Sequence, residues 1–179
     1  NLGLVYSEQQ RFEDAIKEYM TTLRLKPDYA EAHYNLGNIY LAQGRFDEAI
    51  KEYLLTLELR PQDADTHSNI GNAYSALGKF EEARREYLIV LGLKPDDVKA
   101  HYNLGNAYFE YGKFDEAIKE YMIAIKLKPD HIGAHYNLGL VYLEKGLKHK
   151  AEEEFKTALK LRPDFTPARK ALELINGER

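Results

Sequence analysis

An all-α solenoid of stacked helix pairs is the fold this sequence predicts, on three observations. The string NLGNIY at Asn35 returns as NIGNAY at Asn69, NLGNAY at Asn103 and NLGLVY at Asn137, and the chain opens with NLGLVY at Asn1, always 34 residues apart. A strict period of that length marks units that bury their apolar faces only against neighbouring units. A glycine and a proline recur at fixed places in each period and stop a helix there. Between those stops the apolar residues fall at helical spacing.

The units follow in order. Residues 1–29 form a partial unit closed by Pro27. Residues 30–63 form the first full unit, with a helix from about Glu31 to Gln43, a stop at Gly44, a second helix from about Asp47 to Leu59 and a closing Pro61. Units 64–97, 98–131 and 132–165 repeat this plan, with Gly78, Gly112 and Gly146 as the first stop and Pro95, Pro129 and Pro163 as the second. The tail, with Pro167 near its start and Asn176 and Gly177 at its end, predicts a capping helix over 166–177 with one apolar and one charged side. Glu173 stands there where the other units have glycine. Residues 1–179 are thus expected to form one repeat domain.

Tyr40, Phe46, Tyr53, Leu57 and Leu59, with Tyr108, Phe114, Tyr121, Ile125 and Leu127 as counterparts, are the expected core. Gly3, Gly37, Gly71, Gly105 and Gly139 lie inside first helices, where each costs up to about 1 kcal/mol of propensity. Close approach of the partner helix is the expected return, with Ala15, Ala49, Ala83, Ala117 and Ala151 as the matching small surface. Asp47 with Lys51, Glu81 with Arg85 and Asp115 with Lys119 have the i,i+4 order of exposed ion pairs.

Composition sets the outer bounds. The chain has 179 residues, 44% of them hydrophobic and 30% charged, with no cysteine. Disulfides, thiolate zinc sites and cysteine nucleophiles are therefore excluded, and compartment stays open, with the cytoplasm as the default. No apolar run approaches the length of a membrane span. The net charge of -4 is concentrated in the first half, with a slightly basic second half. No concentrated basic stripe is present, so nucleic acid is not an expected partner. Because Asn1 falls in mid-repeat with no initiating Met, the chain reads as part of a longer protein or as a trimmed form of one.

The Leu-Gly-x-x-Tyr first helix, the later Ala and aromatic, and the closing Pro in 34 residues resemble the tetratricopeptide repeat family over the whole chain. Where that family often has Trp, this chain has His33, His67, His101 and His135. The resemblance implies a right-handed superhelix of antiparallel helix pairs, with one side of each first helix lining a concave peptide-binding groove. On a helical wheel, that side carries Tyr34, Asn35 and Asn38 in the first full unit and Asn69 and Asn72 in the next. Lys99, Tyr102, Asn103, Asn106 and Phe109 follow, then Tyr136, Asn137, Leu140 and Leu143.

Paired asparagines in mid-helix are not favoured by propensity. An Asn amide offers both an acceptor and donors, so a row of them suits peptide main chain. The superhelix of O-linked N-acetylglucosamine transferases is similar, with an asparagine ladder. The same asparagines could instead face solvent or bridge neighbouring helices. An apolar or aromatic anchor of a ligand is expected at Tyr102, Phe109, Tyr136, Leu140 and Leu143.

Sharper chemistry finds little support. Lys99 is the one cation where heat-shock co-chaperones of this family need several. The histidine row is expected to pack, because neighbouring helices lie about 8–10 Å apart, too far to share a metal with bonds of about 2 Å. His131 and His135 are spaced to chelate but lie at a helix start. Gly71, Gly78 and Lys79 do not make a phosphate loop. No catalytic residue, metal or cofactor is expected. The favoured function is a non-catalytic scaffold that binds a protein or extended peptide. A substrate-recognition arm of a longer glycosyltransferase is the first alternative, and end-to-end stacking of copies the second.

Overall fold

The structure, a computed structural model, describes residues 2–177. They are helical throughout, without strands: α1 (Leu2–Glu8), α2 (Phe12–Leu25), α3 (Ala30–Ala42), α4 (Phe46–Leu59), α5 (Ala64–Ala76), α6 (Phe80–Leu93), α7 (Val98–Glu110), α8 (Phe114–Leu127), α9 (Ile132–Glu144), α10 (Lys148–Leu161) and α11 (Thr166–Gly177). The chain divides into two compact units, Asn1–Lys94 and Pro95–Arg179. In the first, α1 to α6 pack in chain order, and α3 also meets α5. In the second, α7 to α11 do the same, and α7 also meets α9. Each unit is a run of stacked helix pairs, the solenoid arrangement.

The stops work through backbone geometry. Gly44, Gly78, Gly112 and Gly146 adopt φ of 71–72°, in the left-handed region where a Cβ is strained. This lets the Arg45 N–H reach back to the Tyr40 carbonyl at 2.9 Å, closing the helix end. At the other ends of the pairs, Asp63 and Asp97 cap α5 and α7 by accepting from the Thr66 and Ala100 N–H, each at 2.9 Å.

The helical glycines are explained by aromatic rings. A Cβ on Gly37 would lie 2.5 Å from the Tyr53 ring, and one on Gly139 would lie 2.5 Å from Phe155. Gly71 and Gly105 meet Tyr87 and Tyr121 in the same way. The closest approach is therefore of a ring onto bare backbone, nearer than any alanine, while Ala49, Ala83, Ala117 and Ala151 are fully buried. Tyr53, Tyr87, Tyr121 and Phe155 are the large buried side chains of their pairs. Leu59 and Leu127 do not belong to the core: they are 42% and 37% exposed, because each is the last residue of its helix and points beyond the packed face.

The histidine row ties successive pairs together. His33, His67, His101 and His135 hold Glu52, Glu86, Glu120 and Glu154 through Nδ1 at 2.6–2.7 Å. Their Nε2 atoms face the carbonyls of Pro27, Pro61, Pro95 and Pro129 at 2.9–3.2 Å. Each ring thus clamps the preceding proline turn to the following second helix. Both nitrogens are engaged, so the row is structural.

Of the expected helical ion pairs only Glu81 with Arg85 approaches contact, at 4.0 Å. Asp47 instead lies 3.9 Å from Lys79, and Asp115 pairs with Lys145 at 2.7 Å. These acids stand in the first turn of their helices, where a lysine from the next turn outreaches the one on their own helix. The Lys145 ammonium holds the Asp115 carboxyl below the usual carboxylate range.

Candidate functional site

In the first unit, the side chains singled out by the sequence meet at one cluster. The buried Tyr53 hydroxyl donates to Asn38 Oδ1 at 2.7 Å. Asn69, one repeat later, donates through Nδ2 to the same Asn38 oxygen at 3.0 Å, with the Tyr34 hydroxyl at 3.4 Å. The second unit builds the same cluster from its own residues. Tyr121 donates to Asn106 Oδ1 at 2.7 Å, and Asn137 Nδ2 donates to that oxygen at 2.8 Å and to the Tyr102 hydroxyl at 3.1 Å.

The phenols fix how these amides face. Burial, helped by the neighbouring Tyr34 and Tyr102, pushes Tyr53 and Tyr121 well above the ordinary phenol range. Burial likewise pushes Tyr87, which donates to Asn72 Oδ1 at 2.9 Å, up to about 12. A phenol kept neutral remains a donor, so it claims the amide oxygen and turns the Nδ2 group the other way. Asn38 and Asn106 then carry two donor hydrogens that no described residue accepts. Asn69 and Asn137 show the reverse, their Nδ2 engaged and their Oδ1 without a donor among the described residues. Each half-buried cluster therefore presents an unfilled donor on one helix and an unfilled acceptor on the next.

The ladder thus bridges neighbouring helices, and the groups it leaves open are divided between two asparagines rather than held by one. Asn35 makes no hydrogen bond among the described residues, because its neighbour at the Asn38 place of the preceding repeat is Leu4. Asn103 lies on α7 among half-buried residues, and Lys99 is exposed one turn earlier. Asn1, the expected first rung, lies outside the described residues.

The ladder ends by a paired change. In the repeat of α9 and α10, Phe155 replaces the tyrosine and Leu140 replaces the asparagine it would hold. An open cleft of about 420 Å³ begins there, lined on α9 by Tyr136, Leu140 and Leu143. Its other wall is α11, through Thr166, Pro167, Lys170, Ala171 and Leu174. Tyr102 and Phe109 are absent from it. Tyr102 stacks on His131 with centroids 4.7 Å apart, and Phe109 packs against Phe114 at 5.9 Å.

A capping helix over 166–177 does not by itself predict the α11 contribution, although the register of the tail carries the signal. Lys170, Ala171 and Leu174 stand one period after Tyr136, Asn137 and Leu140. Arg169, one period after His135, takes over the clamp by donating to the Pro163 carbonyl at 2.6 Å. Helix α11 is therefore a further first helix by register. Among the described residues no cluster of three or more His, Cys, Asp or Glu side chains is placed to hold a metal, and no helix is long and apolar enough to cross a membrane.

Family models described as TPR repeat match residues 71–112 and 105–146, and models described as Tetratricopeptide repeat match 1–64 and 132–165. No curated protein matches in sequence. Among solved structures, MamA is 28% identical, with 91% of this chain and 95% of that chain covered and a TM-score of 0.87. YrrB, described as a TPR protein with an unusual peptide-binding site, is 25% identical, with 97% and 89% covered and a TM-score of 0.85. MamA from residue 41 onward of Desulfovibrio magneticus RS-1, at 22% identity, 92% and 93% coverage and a TM-score of 0.88, shares the fold.

Proposed function

This chain belongs to the tetratricopeptide repeat family, and from that premise we propose that it is a non-catalytic protein-interaction scaffold whose first helices grip the main chain of an extended peptide. The observation that carries this reading is the oriented amide pair. Asn38 with Asn69, and Asn106 with Asn137, each offer a donor beside an acceptor, the complement of a peptide C=O and N–H. Because buried tyrosines hold the amide orientation, little ordering is needed when a ligand arrives. The peptide-binding site reported for YrrB is in keeping with this use of the fold.

Each main-chain hydrogen bond contributes about 0.5–1.5 kcal/mol net, so each amide pair contributes roughly 1–3 kcal/mol before ordering costs. That supports weak, sequence-tolerant binding, and selectivity falls to side-chain anchors. N-methyl scanning tests the reading: a peptide selected from a random-sequence display library is methylated at one backbone nitrogen at a time. Methylation at the gripped peptide bonds should weaken binding about tenfold while alanine at the same residues does not. The Asn69→Ala/Asn137→Ala protein, with folding checked by thermal melting, should lose a similar factor. Unchanged affinity in both experiments removes main-chain recognition.

A further inference from the structure

The geometry points to a defined anchor site: the cleft between α9 and α11 takes an apolar side chain of a partner peptide that stands directly beside a carboxylate. This rests on the reading that the first-helix face receives a peptide, and it names what that peptide carries at the α11 end. By register the cleft continues the asparagine-bearing face, yet its chemistry differs. Leu140, Ala171 and Leu174 occupy places held by amides in earlier repeats. No amide pair can form between α9 and α11, so main chain finds no partner there and an apolar group does.

The cleft is built rather than incidental. Leu174 is 69% exposed on its wall, and no side chain of the described residues fills the space in front of it. A volume of about 420 Å³ falls within the roughly 300–1,000 Å³ of ligand pockets. Lys170 is the one ionised side chain in the lining, and it makes no ion pair or hydrogen bond among the described residues. Its neighbour Arg169 is committed to the Pro163 carbonyl. A single uncompensated ammonium at the rim of an apolar cleft selects an anion adjoining the buried group, and fixes the direction of approach.

Two sources supply such a carboxylate, an acidic side chain or a chain terminus. Three fluorescein-labelled hexapeptides separate them: phenylalanine followed by aspartate with an amidated end, the same peptide with asparagine, and one ending in phenylalanine with a free carboxylate. Anisotropy titrations with the whole chain should show the aspartate probe, the terminal probe or both binding about fivefold tighter than the asparagine probe. In Lys170→Met that preference should vanish, and Leu174→Asp should weaken the acidic probes about tenfold. Both side chains are exposed, so the variants should keep the parent melting temperature.

Equal binding of all three probes, a preference that survives Lys170→Met, or no binding of any probe at millimolar concentration overturns the inference. A dimer in sedimentation that Leu174→Asp makes monomeric also overturns it, because the occupant is then a second copy. The two readings can fail separately. Cleft variants without effect, beside Asn69→Ala/Asn137→Ala that weakens the selected peptide, sink the anchor and keep the main-chain grip. The opposite pattern sinks the grip and keeps the anchor.

Discussion

At the scale of single residues, the repeat supplies its own controls, because one unit shows what another lacks. Gln10 stands one period before Gly44 and adopts φ of 57°, where the other four units use glycine. A side chain there costs about 1–2 kcal/mol, against which glycine gives back about 0.5–1 kcal/mol through the unfolded chain. Gln10→Gly should therefore stabilise the protein by roughly 0.5–1 kcal/mol, read as a higher urea midpoint at unchanged slope. Thr66 is a second misfit. It is fully buried where Ala32, Ala100 and Ala134 stand in the other units, and its hydroxyl has no hydrogen-bond partner among the described residues. The stranded hydroxyl costs about 1–3 kcal/mol, more than the roughly 0.8 kcal/mol its methyl gains by burial. Thr66→Ala should raise stability by roughly 0.2–2 kcal/mol, and a loss would mean that the hydroxyl is satisfied.

At the scale of helices, the sequence was most legible where a stop has one physical cause. Glycine, proline and the apolar period located the helices because each acts through local backbone geometry or burial. The site was half legible. The asparagine row was visible at Asn35, Asn69, Asn103 and Asn137, but which half of the Asn38–Asn69 and Asn106–Asn137 amides stays open depends on Tyr53 and Tyr121, 15 residues away from the Asn38 and Asn106 they bind. Helix α11 was legible only as an end, because Lys170 and Ala171 share no residue type with the repeats whose places they hold, and Leu174 repeats only Leu140 of the four full units. The start of α9 carries a pH prediction. His131 Nδ1 accepts from the Ala134 N–H at 3.0 Å, taking the capping role of Asp63 and Asp97. Burial lowers the His131 pKa, with Lys128 acting in the same direction, so the folded protein favours the neutral, accepting ring. The unfolded chain takes up a proton more readily. This contribution to stability is therefore complete above the ordinary histidine value of about 6.5 and is lost as pH falls through that value toward the folded pKa. Asparagine keeps the cap oxygen at every pH. Between pH 7.5 and 5, His131→Asn should lose less melting temperature than the parent, and equal losses would show that His131 carries none of the effect.

At the scale of the molecule, contacts that run between successive helices within each unit make stability a chain of local interfaces rather than one core. A wedge at one interface should then act locally. Valine at Gly139 would drive its side chain into the Phe155 ring, which already lies 2.5 Å from the position of a Cβ. That overpacking costs about 2 kcal/mol or more. Its effect should appear in native-state hydrogen exchange as lost protection in α9, α10 and α11, which share the interface, with α2 to α4 keeping theirs. Uniform loss across all helices would show that the chain opens only as a whole. The same experiment bears on binding. If the interfaces open one at a time, a peptide held at the Asn106 and Asn137 pair should restore protection to α7 and α9 first, since the ligand stabilises the state it binds. The amides of α11 should follow only when the peptide carries the apolar–acidic pair, because only that ligand reaches Leu174 and Lys170.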